Sequence, residues 1–222
     1  MKAPRPVDFL DFLLSVVYDG MALHAEHLSD LRKSGLTDET IHQQKIRTVP
    51  PAMINALVGF DTPKVVSAYL LPYADPAGGW MQHVRMKIFP ALTEEGGSTV
   101  KYLQPVGSGI RIFFPVTALA GVLRTTEPLW VVEGEKKALA VAQQGLPSIG
   151  IAGINAWTAK GTRRLHSDFD GIPLLGRPVE LVPDSDWQTH PQVNRAVGAL
   201  ASALARRGAK VRVVVLPDAA PA

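Results

Sequence analysis

Two stretches, Val131-Val-Glu-Gly-Glu-Lys-Lys-Ala138 and Leu181-Val-Pro-Asp-Ser-Asp186, decide the fold class of this 222-residue chain. Each begins with apolar residues typical of a buried strand and passes directly into acidic residues. Helical segments alternate around them with four apolar runs, at residues 129–132, 148–152, 179–183 and 210–216. This alternation is typical of parallel β-α-β units. The sequence therefore predicts an α/β domain over residues 127–217, with a parallel sheet of about four strands flanked by helices.

Three carboxylates directly follow the predicted strands: Glu133 after the first, and Asp184 and Asp186 after the third. Functional groups of a parallel sheet gather beyond the carboxyl ends of its strands, so these acids converge if the first and third strands are neighbours. Oxygen ligands without nitrogen or sulfur suit Mg²⁺ or Mn²⁺, and a cation relieves the repulsion among them. Taken singly, Glu-Gly is more often only a turn, and Asp-x-Asp often caps a helix. Together, at strand ends in this order, they predict a metal site.

The first 126 residues predict a small α+β subdomain in front of this domain. Apolar side chains recur at helical spacing in residues 1–60, which predicts a helical N-terminal region. Residues 61–126 contain short strand-like runs between turns rich in Gly, Pro and Asp, which indicates a small basic antiparallel sheet. Arg85 and Lys87 are two apart and share a face of one predicted strand, and the next two predicted strands carry Lys101 and Arg111. Residues 218–222 are predicted to form a loose tail.

The acidic motifs resemble the Toprim domain, which bacterial primases, topoisomerases and related nucleases share. The resemblance covers about residues 127–217 and is greatest to the primase-like replication proteins of phages, plasmids and integrated elements. It is carried by Glu133–Ala138, Gly150–Trp157 and Asn194–Pro217. The resemblance implies that the catalytic and metal-binding residues are Glu133, Asp184 and Asp186, with Mg²⁺ or Mn²⁺ as the cofactor.

A second resemblance concerns the basic residues upstream. Arg85-Met-Lys87, followed by Lys101-Tyr-Leu-Gln104, resembles the bacterial primase segment whose basic side chains line the template and nucleotide groove. It implies the same role for Arg85, Lys87 and Lys101. Residues 136–167 also contain no acidic residue and five basic ones: Lys136, Lys137, Lys160, Arg163 and Arg164. An isolated patch of this kind is usually a solvated surface, but beside carboxylates it is expected to hold phosphodiesters.

The two resemblances imply a primase-type nucleotidyltransferase core that makes primers on single-stranded DNA from nucleoside triphosphates in mobile-element replication. A helicase domain or protein is a further expected partner. Two departures from the primase pattern keep alternatives open. Lys137 stands where the bacterial motif has an aspartate, and only Asp218 follows the last strand where an acidic pair is usual, although Glu135 or Asp218 could compensate. A metal-dependent nuclease and a non-catalytic nucleic-acid-binding module are the alternative functions.

The composition excludes several other classes. The chain has no cysteine, which excludes disulfides, thiolate zinc sites and the zinc ribbon of bacterial primases. No phosphate-binding Gly-x-x-x-x-Gly-Lys-Ser/Thr loop and no run of 18 apolar residues occurs, so we expect a soluble cytoplasmic protein without an ATPase site or a membrane partner. Trp80 and Trp157 either stack on bases or, as we favour, pack in the interior. His24 and His27 share a helix face that we expect to be solvated rather than metal-binding.

Overall fold

The computed structural model describes residues 7–93, 96–158 and 162–216, and these residues form two compact units. The first unit contains the described residues up to Asp75 together with Gly79–Gly109. The second unit contains Pro76–Gly78 and the described residues from Ile110 onwards. No helix within the described ranges is long and apolar enough to cross a bilayer.

The first unit is an antiparallel sheet with four helices. Its strands are ordered β1-β2-β3-β4 and are β1 (Arg47–Val49), β2 (Ser67–Ala74), β3 (Trp80–Thr93) and β4 (Thr99–Leu103). Its helices are α1 (Val7–Gly20), α2 (Ala25–Lys33), α3 (Asp38–Gln43) and α4 (Pro51–Val58). One face of the sheet joins α1 and α4 in a buried core that includes Val17, Leu57, Leu70, Val84 and Met86. Residues of α2 contact the other face through Tyr69, Lys87 and Phe89.

The boundary expected at residue 60 does not separate two units. Strand β1, which lies inside the region predicted as helical, pairs with β2, and the common core draws residues from both sides of the boundary. The predicted strand that carries Arg111, residues 111–115, is also wrong. Only Phe113 makes an isolated antiparallel bridge, to Gly150, because the guanidinium of Arg111 and the backbone N–H of Ile112 both bind the carboxylate of Asp168. This segment therefore belongs to the second unit.

The second unit confirms the predicted parallel α/β domain. Its strands, ordered β6-β5-β7-β8 and all parallel, are β5 (Leu129–Glu133), β6 (Ser148–Ile151), β7 (Pro178–Val182) and β8 (Lys210–Val213). The helices are α5 (Leu119–Arg124), α6 (Glu135–Ala142) and α7 (Pro191–Arg206). Val131 and Leu181 of the central strands are fully buried, as a parallel sheet covered by helices requires. Val197, Leu200 and Leu204 recur at helical spacing and form the buried face of α7.

A buried arginine fixes the start of β7. Arg177 is 1% exposed, and its guanidinium donates hydrogen bonds to the carbonyl oxygens of Gly121, Val122 and Glu127 at 2.9, 2.7 and 2.7 Å. These carbonyls lie in α5 and in the turn before β5. A carbonyl in the last turn of a helix has no backbone partner within the helix, so Arg177 supplies a donor to Val122 and a second donor to Gly121, which also accepts from the Thr125 hydroxyl at 2.7 Å.

Candidate functional site

Glu133 lies at the carboxyl edge of the parallel sheet, held by the loops that follow the two strands beside its own. Its Oε1 accepts a hydrogen bond from the backbone N–H of Ile154 at 3.0 Å, after β6. Its Oε2 accepts one from the backbone N–H of Asp184 at 3.1 Å, after β7. Strands β5 and β7 are direct neighbours, as the convergence of Glu133 with Asp184 requires. The Glu133 carboxylate is therefore fixed in position by backbone groups.

The chain turns sharply from β5 into α6 at Gly134. This residue has φ 101° and ψ 140°, a conformation that glycine adopts and other residues avoid. Its N–H donates to the carbonyl oxygen of Ile151 at 2.8 Å, and its carbonyl accepts from Ala138 at 3.1 Å as the first bond of the helix. Because α6 begins directly after Gly134, Lys137 lies one helical turn beyond Glu133, at the same edge of the sheet.

Burial dominates the electrostatics of Glu133 and raises the pKa of its carboxyl above the usual range. The nearby Asp184 raises this pKa further, while the two backbone hydrogen bonds and Lys137 lower it. Lys137 Nζ forms an ion pair with Asp184 Oδ1, and both side chains are about half exposed. Among the side chains that the structure describes, Glu133, Asp184 and Lys137 therefore lie together at this edge of the sheet.

The donor set of this edge fits a hard divalent cation. Each Glu133 oxygen uses one lone pair on a backbone N–H and retains another, and Asp184 is exposed enough to reorient. Both groups are oxygen donors, which Mg²⁺ and Mn²⁺ prefer. Burial raises the pKa of Glu133, and a cation beside this carboxyl would favour its ionised form. A cation held here would have to displace Lys137 from Asp184.

Of the remaining predicted acids, only Glu135 has a side chain within the described part of the chain. Asp186 lies in a 3₁₀ turn, Ser185–Gln188, next to Asp184, and its side chain is outside the described part of the chain. It does not cap α7, which begins at Pro191 with His190 as its N-cap. Glu135 is 2% exposed in the first turn of α6. Asp218 lies outside the described residues.

The basic residues predicted for nucleic-acid binding in the second unit form a partly exposed set. Arg163 and Arg164 are exposed, Lys136 is half-buried, and Lys160 lies outside the described residues. Arg206, at the end of α7, donates from Nη2 to the carbonyl oxygen of Arg163 at 3.5 Å and so adds a cation that the sequence reasoning missed. The consecutive Arg206-Arg207-Gly208 at a helix end was the available signal.

In the first unit, the three predicted groove residues do not share one surface. Arg85 lies over the ring of Tyr102 at 4.8 Å from its centroid. Lys87 Nζ is 2.6 Å from Asp30 Oδ1, and only 15% of the Lys87 side chain is exposed. The ammonium group of Lys87 is therefore already paired with a carboxylate of the same unit. Lys87 is opposite Tyr102 in the register of β3 and β4, which places the exposed Lys101 on the other face of the sheet.

The two tryptophans singled out as stacking candidates differ in accessibility. Trp157 is 4% exposed and packs in the interior, as favoured from the sequence. Trp80 is half-buried with its ring centroid 6.1 Å from that of Tyr18. Trp80 is therefore the more accessible of the two rings.

Comparison with known proteins identifies a matching family and similar solved structures. A family described as a domain of unknown function, DUF3854, matches residues 120–221. The Aquifex aeolicus primase, comprising zinc-binding and RNA polymerase domains, is similar at a TM-score of 0.64 and 16% identity, over 97% of this chain and 58% of that one. This chain has the fold of a primase catalytic core. It spans 58% of the length of the Aquifex chain, and no curated protein sequence matches it.

Two further primase structures support this assignment of the fold. The DnaG primase catalytic domain bound to single-stranded DNA is similar at a TM-score of 0.60 and 20% identity, over 96% of this chain and 73% of that one. The RNA polymerase domain of Mycobacterium tuberculosis DnaG, in complex with a double-stranded DNA oligomer carrying a 6-nucleotide overhang, is similar at 0.59 and 15% identity, over 96% and 72%. At these identities the likeness concerns the fold.

Proposed function

We propose that this chain is a primase-type nucleotidyltransferase core that extends primers on single-stranded DNA, using nucleoside triphosphates and Mg²⁺ or Mn²⁺. The main support is the junction of Glu133 with Asp184, in which the Asp184 N–H donates to Glu133 Oε2 at the carboxyl edge of the parallel sheet. This junction stands in a fold similar to primase catalytic cores over nearly the whole chain. We further infer, from the resemblance of the Glu-Gly-Glu-Lys-Lys-Ala motif to primase-like proteins of mobile elements, a role in mobile-element replication; a cytoplasmic location and a helicase partner are further parts of the proposal.

Each candidate site residue of the second unit has a distinct role in this proposal. Glu133 is a fixed ligand, because two backbone donors hold its carboxylate, and Asp184 is an adjustable one, with Asp186 as the third candidate. A divalent cation bound there would supply charge that offsets the phosphates and lowers the pKa of the attacking hydroxyl. Exposed Arg163 and Arg164 attract the phosphate backbone by charge.

The ion pair between Lys137 and Asp184 favours one alternative, a non-catalytic nucleic-acid-binding module. In such a module Lys137 would neutralise Asp184 permanently, and the edge of the sheet would need no metal. Binding of nucleic acid would then rest on the basic residues alone and weaken steeply with salt.

Primer synthesis provides the direct test. The chain is incubated with single-stranded DNA, labelled nucleoside triphosphates and Mg²⁺ or Mn²⁺, and product length is followed on denaturing gels. The proposal predicts lengthened products that Glu133→Gln and Asp184→Asn each reduce at least about 100-fold, as expected when a metal ligand is lost. Asp170→Asn is the matched control, because Asp170 is an exposed acid of the same unit, paired with Arg207.

The same experiment separates the alternatives. Shortened labelled DNA, dependent on the metal and on Glu133, would replace the primase proposal with the nuclease. Salt-sensitive DNA binding that survives both substitutions, without turnover, would replace it with the non-catalytic module. Equal synthesis by Asp184→Asn and Asp170→Asn proteins would show that the assigned residues are wrong.

A further inference from the structure

A second group of metal-ligating side chains lies in the first unit, at the beginning of α2. His24, Glu26 and His27 each offer one ligand atom, and these three atoms all lie within 4.8 Å of one another. The sequence predicted a solvated helix face here, and this prediction is wrong for His27, which is fully buried. Its ring stacks at 5.1 Å on Phe89 of β3, so the sheet covers this side of α2.

The contacts of His27 place one ring nitrogen beside Thr48 and the other beside Glu26. Nδ1 lies 2.7 Å from the hydroxyl of Thr48, which also accepts the backbone N–H of His24 at 2.9 Å. Nε2 lies 3.5 Å from Glu26 Oε1 and 3.2 Å from Ser67 Oγ. In metal sites a ligating histidine almost always bonds through its other nitrogen to an oxygen that fixes the ring. Thr48 stands in that position.

The other two candidate ligands are exposed. Glu26 is 65% exposed, and the exposed His24 ring lies parallel to that of His27, with centroids 5.9 Å apart. Ligands about 2.0 Å from a tetrahedral zinc ion are roughly 3.3 Å from one another. Because His24 and Glu26 are exposed, their side chains are free to rotate towards this spacing, and the His24 ring has to turn out of its parallel position while buried His27 stays in place.

We propose that His24, Glu26 and His27 form a binding site for Zn²⁺ or a similar first-row divalent cation, with water as the fourth ligand. Two imidazoles and one carboxylate are ligands that zinc and cobalt prefer, whereas Mg²⁺ prefers oxygen donors alone. The site is distinct from a zinc ribbon because the chain has no cysteine. It lies in a different unit from Glu133 and does not depend on the proposed primase activity.

Binding at this site would stabilise the first unit. The ligands lie in or directly before α2, Thr48 lies in β1 and Ser67 begins β2. A bound cation fixes the rotamers of two exposed side chains on a buried anchor that already connects the helix to the sheet. A ligand that binds only the folded state raises its stability in proportion to the logarithm of ligand concentration over Kd.

Cobalt titration tests the proposal. The full chain is stripped with EDTA, dialysed and titrated with Co²⁺, and the visible d–d bands and their loss on adding Zn²⁺ are recorded. We expect one tightly bound Co²⁺ with the strong bands of four-coordinate cobalt, and a higher melting temperature with Zn²⁺. His24→Ala should weaken binding at least about tenfold, and Thr48→Val, which keeps the buried shape, about 10- to 100-fold.

Controls distinguish this site from other ligands of the chain. His42→Ala removes another exposed histidine of the same unit, and Glu133→Gln removes an acid of the second unit; both should leave the cobalt spectrum unchanged. Because His24 and Glu26 are exposed, His24→Ala and Glu26→Gln proteins are expected to fold, which circular dichroism verifies. Absence of tight cobalt binding, equal affinity of His24→Ala and His42→Ala proteins, or loss of the signal in Glu133→Gln alone would overturn the proposal.

Discussion

Replacement of Arg177 by methionine should destabilise the second unit strongly, although Arg177 belongs to no predicted site. Methionine fills much of the arginine stem but donates no hydrogen bond. The carbonyl oxygens of Gly121, Val122 and Glu127 would each lose a donor at 2.7–2.9 Å, and the bond to Val122 is fully buried. Arg177 precedes β7, so the loss also loosens the strand that leads to Asp184.

The size of the effect follows from these three bonds. A hydrogen bond to a charged group contributes about 1.5–3 kcal/mol to the free energy of unfolding, so three of them contribute roughly 5–9 kcal/mol. Burial lowers the pKa of Arg177, which shows that the fold opposes its charge, and methionine recovers this desolvation cost of several kcal/mol. We expect a net loss of about 4 kcal/mol, a large part of the 5–15 kcal/mol that holds a typical domain together.

Urea denaturation measures this loss through tryptophan fluorescence and circular dichroism. Arg195→Met, on the exposed surface of α7, is the matched control and should change stability by less than about 0.5 kcal/mol. Arg177→Lys should remain clearly destabilised, because one ammonium group cannot reproduce the fixed fork of a guanidinium. If Arg177→Met unfolds within about 1 kcal/mol of Arg195→Met, the carbonyl anchor does not support the fold as argued.

Three further predictions concern single positions. Gly134→Ala should lower the free energy of unfolding by about 1–3 kcal/mol because of its positive φ, whereas Gly198→Ala inside α7 should raise it slightly; urea midpoints compare the two. Lys87→Met should cost about 2 kcal/mol by leaving the partly buried Asp30 without its cation, while affinity for single-stranded DNA, measured by fluorescence anisotropy, stays unchanged. Burial lowers the pKa of His27, so in EDTA the folded state resists a proton that the unfolded chain accepts below about pH 6.5. The contribution of neutral His27 to the free energy of unfolding should therefore be complete above that pH. Below it, this contribution should fall by at most about 1.4 kcal/mol per pH unit, which thermal melts at stepped pH should show.

The parallel domain could be predicted from sequence because its strands are short apolar runs separated by helices with regular spacing. The same reasoning failed at residues 111–115, where an apolar run is extended but is held by Asp168 and one bridge instead of a strand partner. It failed again at His27, since helical periodicity does not show that a second sheet face covers α2. Arg177 could not be found at all, because its partners are backbone carbonyls about fifty residues away and carry no sequence signal.

The position of Glu133 could be predicted from the sequence more completely than the surroundings of Asp184. Glu133 follows a buried strand and precedes a glycine turn, so backbone geometry determines its place. The state of Asp184 depends instead on Lys137, a cation where the primase motif has an acid, and this exchange changes the local charge by two units. A divalent cation at this edge therefore competes with Lys137 for Asp184. Once displaced, Lys137 would lie within one helical turn of Glu133, where its ammonium group can contact a phosphate. In the proposed function Lys137, the residue that departs most from the primase motif, therefore links metal binding to substrate binding.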